Sequence, residues 1–318
     1  MYDVTATGEL LIDFTRNGLS EQNNRIYEAN PGGAPCNVLA MLGKLGYKTA
    51  FIGKVGEDEF GKLLKNTITE QKIDASGLIL DPNAKTTLAF VDNDETGDRS
   101  FSFYRKPGAD MMLREDEVNY ELIDNCRIFH FGSLSMTDEP VRSATYAMID
   151  YAKKKNKIIS FDPNLRPPLW ESEELAAKQI WYGIEQCDIL KIADNEIEWL
   201  TGTDDYDKGI EIIRQRTHAK LINVTLGPNG SIAYYGDHKV FMEPYLNENT
   251  IETTGAGDTF GACALHAVLR HGLDNMTEDD LKEMLQFANA AASLVTTKKG
   301  ALRVMPEEKE IKELINKY

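Results

Sequence analysis

Basic residues are scarce in this chain. Lysine and arginine number 35 against 51 aspartates and glutamates, leaving a formal charge of −16 over 318 residues. So acidic a surface argues against nucleic acid and anionic membranes as partners, because both recruit basic patches. It does not exclude a nucleotide, whose phosphates backbone N–H groups and a metal ion can hold. Long apolar runs are missing as well: none approaches the roughly 18 residues that a membrane-spanning helix needs. Met1 is followed by a strand-like stretch, Tyr2 to Phe14, and not by a charged-then-apolar leader. Cysteine is sparse. Cys36, Cys126, Cys187 and Cys263 stand far apart, in no C-x-x-C spacing and in apolar surroundings. They read as reduced, buried thiols of a cytoplasmic protein, and not as disulfides or metal ligands. Internal repeats and low-complexity linkers are also absent, which predicts one domain spanning 1–318.

What is present is a 42% hydrophobic content, enough for a substantial core. Strand-like runs at Val4–Leu11, Thr49–Gly53, Ile128–Gly132, Ile158–Asp162, Ile189–Ile192 and Leu221–Thr225 alternate with amphipathic runs. The latter lie at Val38–Leu45, Phe60–Gln71, Val141–Lys155, Leu175–Cys187 and Gly209–Arg216. Such alternation predicts an α/β fold, a three-layer sandwich with helices on both faces of a mainly parallel sheet. Towards the end, Ser231–Tyr235 and Lys239–Glu243 flank the hairpin signal Gly236-Asp237, and long helices are expected at Gly255–His271 and Thr277–Thr297.

Two stretches break the alternation. Thr86–Val91 and Arg99–Arg105 form an antiparallel hairpin around the polar turn Asp92–Asp98, with Phe101, Phe103 and Arg105 sharing one face. Gly18–Pro31 is also free of helix. Together, insertions at about 14–31 and 86–110 are expected to build a small β-sheet lid over the strand ends.

The densest chemistry lies at Glu252-Thr253-Thr254-Gly255-Ala256-Gly257-Asp258. Small residues open a long helix, whose free N–H groups and dipole form an anion site. An acid placed there suits proton abstraction from a hydroxyl while the amides hold a transferring phosphoryl group. A first-turn aspartate after a flexible turn would leave the same trace. Further polar clusters follow strands, at Asp13, at Asp162–Arg166 and at Thr225–Gly230, the end of an open α/β sheet where ligands bind.

These residues resemble a known family. Asn30-Pro31-Gly32-Gly33-Ala34-Pro35-Cys36-Asn37 and Thr253-Thr254-Gly255-Ala256-Gly257-Asp258-Thr259-Phe260 are similar to the two signatures of the ribokinase-like (phosphofructokinase-B) carbohydrate kinases. Gly8–Phe14, Phe103–Asp110 and Phe161–Arg166 resemble segments of bacterial fructokinases most. The resemblance implies a ribokinase-like fold and an ATP-dependent transfer to a sugar, fructose first, with ribose, 2-keto-3-deoxygluconate or an aminoimidazole riboside as alternatives. A non-catalytic sugar or nucleotide sensor is the alternative of another class.

The resemblance also implies roles. Asp258 would be the base, with Gly255, Ala256 and Gly257 as the anion hole. Asp13, Gly33, Asn37, Phe103 and Arg166 would bind the sugar, and Thr225, Gly227, Gly230 and Asn289 the ATP. Glu196 would hold Mg2+ through water, although Ala193 stands where the family has Asn. Glu252, where the family has Asp, and Thr254 would help bind K+ beside carbonyls of Val295–Gly300. A homodimer through the lid is implied as well.

Overall fold

The structure, a computed structural model, describes residues 1–93 and 99–317. The expected turn residues Asp94–Asp98 lie outside the described residues, as do the side chains at 92, 93 and 99–101, Phe101 among them.

In chain order the first half holds β1 (Tyr2–Thr7), β2 (Leu11–Leu19), β3 (Arg25–Gly32), α1 (Ala34–Lys44), β4 (Thr49–Gly56), α2 (Glu59–Glu70) and β5 (Ile73–Asp81). Then come β6 (Leu88–Asn93), β7 (Arg99–Tyr104), α3 (Glu121–Asp124), β8 (Cys126–Gly132), α4 (Val141–Lys154) and β9 (Ile158–Asp162). The rest comprises α5 (Glu173–Gln186), β10 (Ile189–Ala193), α6 (Asp194–Thr201), α7 (Tyr206–Arg214), β11 (Leu221–Thr225), β12 (Ser231–Tyr235) and β13 (His238–Met242). Helices α8 (Ala256–His271), α9 (Glu278–Val295) and α10 (Glu308–Ile315) close the chain.

Strands run β13-β12-β11-β10-β9-β8-β1-β4-β5 across one large sheet, parallel from β11 to β5 and antiparallel at the β12–β13 end. One core cluster joins a face of this sheet to α1, α8 and α9, through Val4, Phe51, Ile128, Leu39, Leu265 and Leu285. The other joins Ile52, Phe129, Phe161 and Val224 to α4 and α5, through Met148 and Ile180. This is the expected three-layer α/β sandwich, and the alternation of residues along buried parallel strands produces it.

The second sheet has the order β3-β2-β6-β7. It is built from 11–32 and 88–104, near the two stretches singled out in the sequence. One strand boundary differs from expectation. Val4–Leu11 is not one strand: β1 stops at Thr7, and Leu11 begins β2 of the small sheet. The crossing at Gly8–Leu10 is only three residues long, with Glu9 the single charged residue in it, so periodicity alone could not reveal it. β5, α6 and α10 were not anticipated. β5 pairs only with β4, at the sheet edge, and the two amphipathic helices are short.

Candidate active site

On the α1/α8 face of the large sheet, the layer towards the strands' C-terminal ends is polar. His130 of β8 pairs in register with Ser160 of β9, and Lys191 of β10 with Asn223 of β11. All four side chains are buried. Apolar residues fill the layer below, at Val4, Ile128, Ile189 and Leu221. Burying this many polar groups costs free energy unless they are paired. His130 meets the Ser160 hydroxyl at 3.0 Å, and burial pushes its pKa down to about 4 with Lys191 adding to the effect. Lys191 Nζ lies 3.1 Å from Asp162. Burial works against the Lys191 ammonium, but Asp162, Glu196 and Asp258 outweigh it and hold its pKa above the ordinary lysine value. Burial drives Asp162 up to about 7, with Lys191 opposing.

Helix α8 begins at this layer, its first turn lying against Lys191. Gly255 precedes it with φ of 78°, a left-handed conformation that a β-carbon penalises. A β-carbon there would also come within 2.6 Å of Ala301 Cβ. Of the three amides expected to face an anion, that of Ala256 reaches Thr253 O at 3.2 Å. A side chain at Gly257 would meet Lys191 Nζ at 3.0 Å, so the ammonium lies against the helix end.

Asp258 is 8% exposed. An ordinary first-turn acid would cap its own helix, but this carboxylate accepts from Asn37 Nδ2 at 2.8 Å, across from α1. Burial raises its pKa, while Asn37, Lys191 and Arg166 pull it back. Asn37 Oδ1 is buried and has no partner among the described residues. Gly33, with φ of 130°, caps α1, and the buried Glu9 accepts the Ala34 N–H at 2.8 Å. The Gly32-Gly33 turn therefore packs closely along the start of β2.

Asp13 lies on β2, opposite Asn30 of β3 and Ala89 of β6, and Ala89 in turn faces Phe103 of β7. Paired residues share a sheet face, so Asp13 and the half-buried Phe103 look the same way. Desolvation raises Asp13 to about 7; Arg166 opposes this, and Glu252 and Asp258 reinforce it. Asp13, Arg166 and Asp258 thus feel one another's charges at one locus, bounded by the small sheet and the N-terminus of α8. Arg166 is half-buried, and its Nη1 donates to Leu165 O at 3.0 Å.

The remaining expected residues fall in two places. Glu252 Oε1 accepts the Gly300 N–H at 2.7 Å, and the amides of Ile251 and Glu252 both reach Thr296 O. The acid thus sits on the loop that was expected to complete a cation site, with the half-buried Thr254 two residues on. Thr225 ends β11, and Gly227 and Gly230 bound the turn into β12. Asn289 is already engaged: its Oδ1 accepts from Ser231 at 2.8 Å, and its Nδ2 donates to Met242 O and Glu243 O. Glu196 is buried, and its two oxygens accept from Leu165 N at 2.7 Å and Ala193 N at 2.8 Å. No three His, Cys, Asp or Glu side chains among the described residues form a metal-binding group. A magnesium ion here would accordingly keep most of its waters and take phosphate oxygens, as that ion prefers. The carboxylates of Asp162 and Glu196 are hard donors suited to an outer sphere of this kind.

Sequence reasoning missed Lys191 and Asn223. A lysine inside an apolar strand run, Ile189-Leu190-Lys191-Ile192, was the available signal.

Known proteins share the fold and much of the sequence of this chain. The profile of the pfkB family carbohydrate kinases matches residues 1–308. A probable fructokinase-2 of Arabidopsis thaliana is 41% identical over 309 residues, covering 96% of this chain and 94% of its own. Among solved structures, the fructokinase of Xylella fastidiosa with bound ATP superposes with a TM-score of 0.90 at 30% identity, covering 100% of this chain and 99% of its own. A double mutant of the Vibrio cholerae O395 fructokinase, bound to fructose, ADP and potassium ion, gives 0.89 at 30% identity, with coverage of 99% and 98%. With a family profile spanning nearly its whole length and relatives aligned end to end, this chain belongs to the pfkB family of carbohydrate kinases.

Proposed function

We propose that the protein is an ATP-dependent fructokinase, converting fructose and ATP to fructose 6-phosphate and ADP. The observation that carries this is Asp258. It is a buried carboxylate with a raised pKa at a helix N-terminus, held by Asn37 and sharing its surroundings with Asp13 and Arg166. A base of this kind accepts a hydroxyl proton, while helix-end amides take the charge of the transferring group. Asp13 and Arg166 offer an acceptor and donors to the hydroxyls of a polyol, and Phe103 offers an apolar cover from the lid. Metal bound with the nucleotide neutralises charge on the phosphates; Glu196 and Asp162 would hold its water shell. Glu252, Thr254 and the Val295–Gly300 carbonyls would take K+, a reading supported by the Gly300 N–H bond to Glu252 that ties their two loops together. For the nucleotide we favour the Thr225–Gly230 turn, with Asn289 bracing the strand beside it.

The whole chain would work as one domain whose small sheet closes over the sugar. A homodimer through that sheet has support from its exposed apolar side chains, Leu19, Ile26 and the 65% exposed Tyr104. Four buried free thiols suit a reducing cytoplasm, and no described helix is long and apolar enough to cross a membrane.

The test is steady-state kinetics on fructose, ribose and 2-keto-3-deoxygluconate at fixed ATP and magnesium. A pocket matched to one set of hydroxyls penalises a sugar that leaves groups unpaired by about 1–3 kcal/mol each. Fructose should therefore lead in kcat/KM by at least about tenfold. Equal or better turnover of either competitor overturns the choice of fructose.

A further inference from the structure

We propose that Glu9 is a positioning residue for the transfer: its carboxylate fixes the start of α1 and thereby aims the Asn37 amide at Asp258. The assignment rests on Asp258 being the base at the end of α8.

Glu9 stands in apolar company, beside Leu10, Leu11 and Ile12, where the chain crosses from the large sheet to the small one. It is 4% exposed. Burying a carboxylate is costly unless it is hydrogen-bonded. Its Oε1 accepts the Ala34 N–H at 2.8 Å. Burial raises its pKa to about 7, and its own amide, that of Ala34 and the charge of Arg105 oppose the rise.

The start of α1 explains why this acid comes from a distant part of the chain. A helix leaves its first amides without partners, and the side chain at the N-cap normally takes one. Here the N-cap is Gly33, which has no side chain to offer. Nor is another residue accommodated there: φ is 130°, and a β-carbon would collide with Glu9 O. The Ala34 amide is therefore capped across 25 positions of sequence. The main chain of Glu9 abuts Gly33 and its side chain holds Ala34, so one residue grips α1 at two successive positions.

Asn37 lies one turn further on. Its N–H bonds to Gly33 O at 3.0 Å, and its Nδ2 donates to Asp258 Oδ2 at 2.8 Å. The far side of the amide is not steered by a second bond, since Oδ1 is buried without a partner among the described residues. Its aim thus depends on where the first turn of α1 is held, and Glu9 holds that turn. The competing role is a cap that serves stability alone. Such a cap would affect turnover equally whether or not Asn37 were present.

A double-variant cycle separates the two roles. Glu9→Met keeps the length of the side chain and removes the acceptor. It should lower kcat/KM for fructose by about tenfold, within the range that coupled neighbours show. The acid limb of its pH profile should move upward, as expected when the base loses a donor, and the KM for ATP should stay within about twofold. Glu9→Met/Asn37→Ala should be no slower than Asn37→Ala alone, within about twofold. If the two losses multiply instead, or if the limb of Glu9→Met stays in place or moves to lower pH, Glu9 does not act through Asn37 and the proposal falls.

Glu9→Met leaves the Ala34 amide unpaired and can fail to fold, so Glu9→Gln, which keeps an acceptor, is measured as well. Its kcat/KM should stay within about threefold of wild type, with the acid limb within about 0.3 units. A loss of about tenfold or more with an unmoved limb overturns the proposal. Asp258→Asn is run in parallel. An inactive Asp258→Asn beside multiplying losses removes the Glu9 assignment alone, whereas an active Asp258→Asn removes the reading of the site on which it rests.

Discussion

Removing the Asn37 amide should shift the pH at which the enzyme switches on. Asn37 Nδ2 donates to Asp258 Oδ2 at 2.8 Å, in a buried setting where water cannot take its place. That bond lowers the pKa of an acid that burial raises. A hydrogen bond to a charged group contributes about 1.5–3 kcal/mol. At 1.36 kcal/mol per pH unit, losing it raises the pKa by about one to two units. A general base must be ionised to act, so the acid limb of kcat/KM marks its pKa in the free enzyme. In Asn37→Ala this limb should move to higher pH by that amount, so the loss of activity is larger at the acid end of the profile than at the alkaline end. The assay is a pH profile of kcat/KM for fructose at saturating ATP-magnesium, with wild type and variant run side by side. A purely structural role for Asn37 would lower the curve evenly. An acid limb unmoved within about 0.3 units, with an even loss across the range, would refute the link between Asn37 and the base.

Three further outcomes are expected. Phe103→Ala should raise the KM for sugar and increase ATP hydrolysis relative to sugar phosphorylation, because a closed lid excludes water; unchanged values of both would place Phe103 away from the sugar. His130 is held at about 4 against an ordinary 6.5, so its stabilising contribution is complete above 6.5 and is lost as pH falls towards 4. Chemical denaturation should show the wild type losing about 3 kcal/mol more than His130→Asn over that window, and parallel pH dependence in the two would refute this. Gly255→Ala must adopt a φ of 78° against Ala301, costing at least about 1 kcal/mol in stability and displacing the end of α8; a variant with normal melting temperature and kcat would contradict that geometry.

The sequence revealed the sheet where period and length agreed. Ile158–Asp162, Leu221–Thr225 and Ser231–Tyr235 are strands with the bounds their apolar runs suggested. It was silent at Gly8–Leu10, where the chain passes from one sheet to the other within three residues, too few to show as a loop. The glycine-rich helix start and Asp258 stood out because an acid in an anion-binding helix start has a chemical use, and because the other strand-end polar clusters of the chain agreed with it. What could not be read was pairing at a distance: Asn37 and Asp258 are 221 positions apart, and which way the amide points depends on the packing of α1 against α8. The same holds for Lys191, whose partner Asp162 comes from the neighbouring strand. Asn289 and Glu196 show the reverse, since residues implied as ligand contacts also hold backbone groups in place.

The most direct measurement is turnover by Asp258→Asn, paired with calorimetric titration of fructose and of ATP analogue into the same variant. Asparagine keeps the shape of the side chain and loses its basicity. Both ligands should bind with affinities near those of the wild type, while kcat falls by about 10²-fold or more, as expected for a positioned base. A kcat near the wild-type value would contradict Asp258 as the proton acceptor and with it the catalytic reading of this helix end.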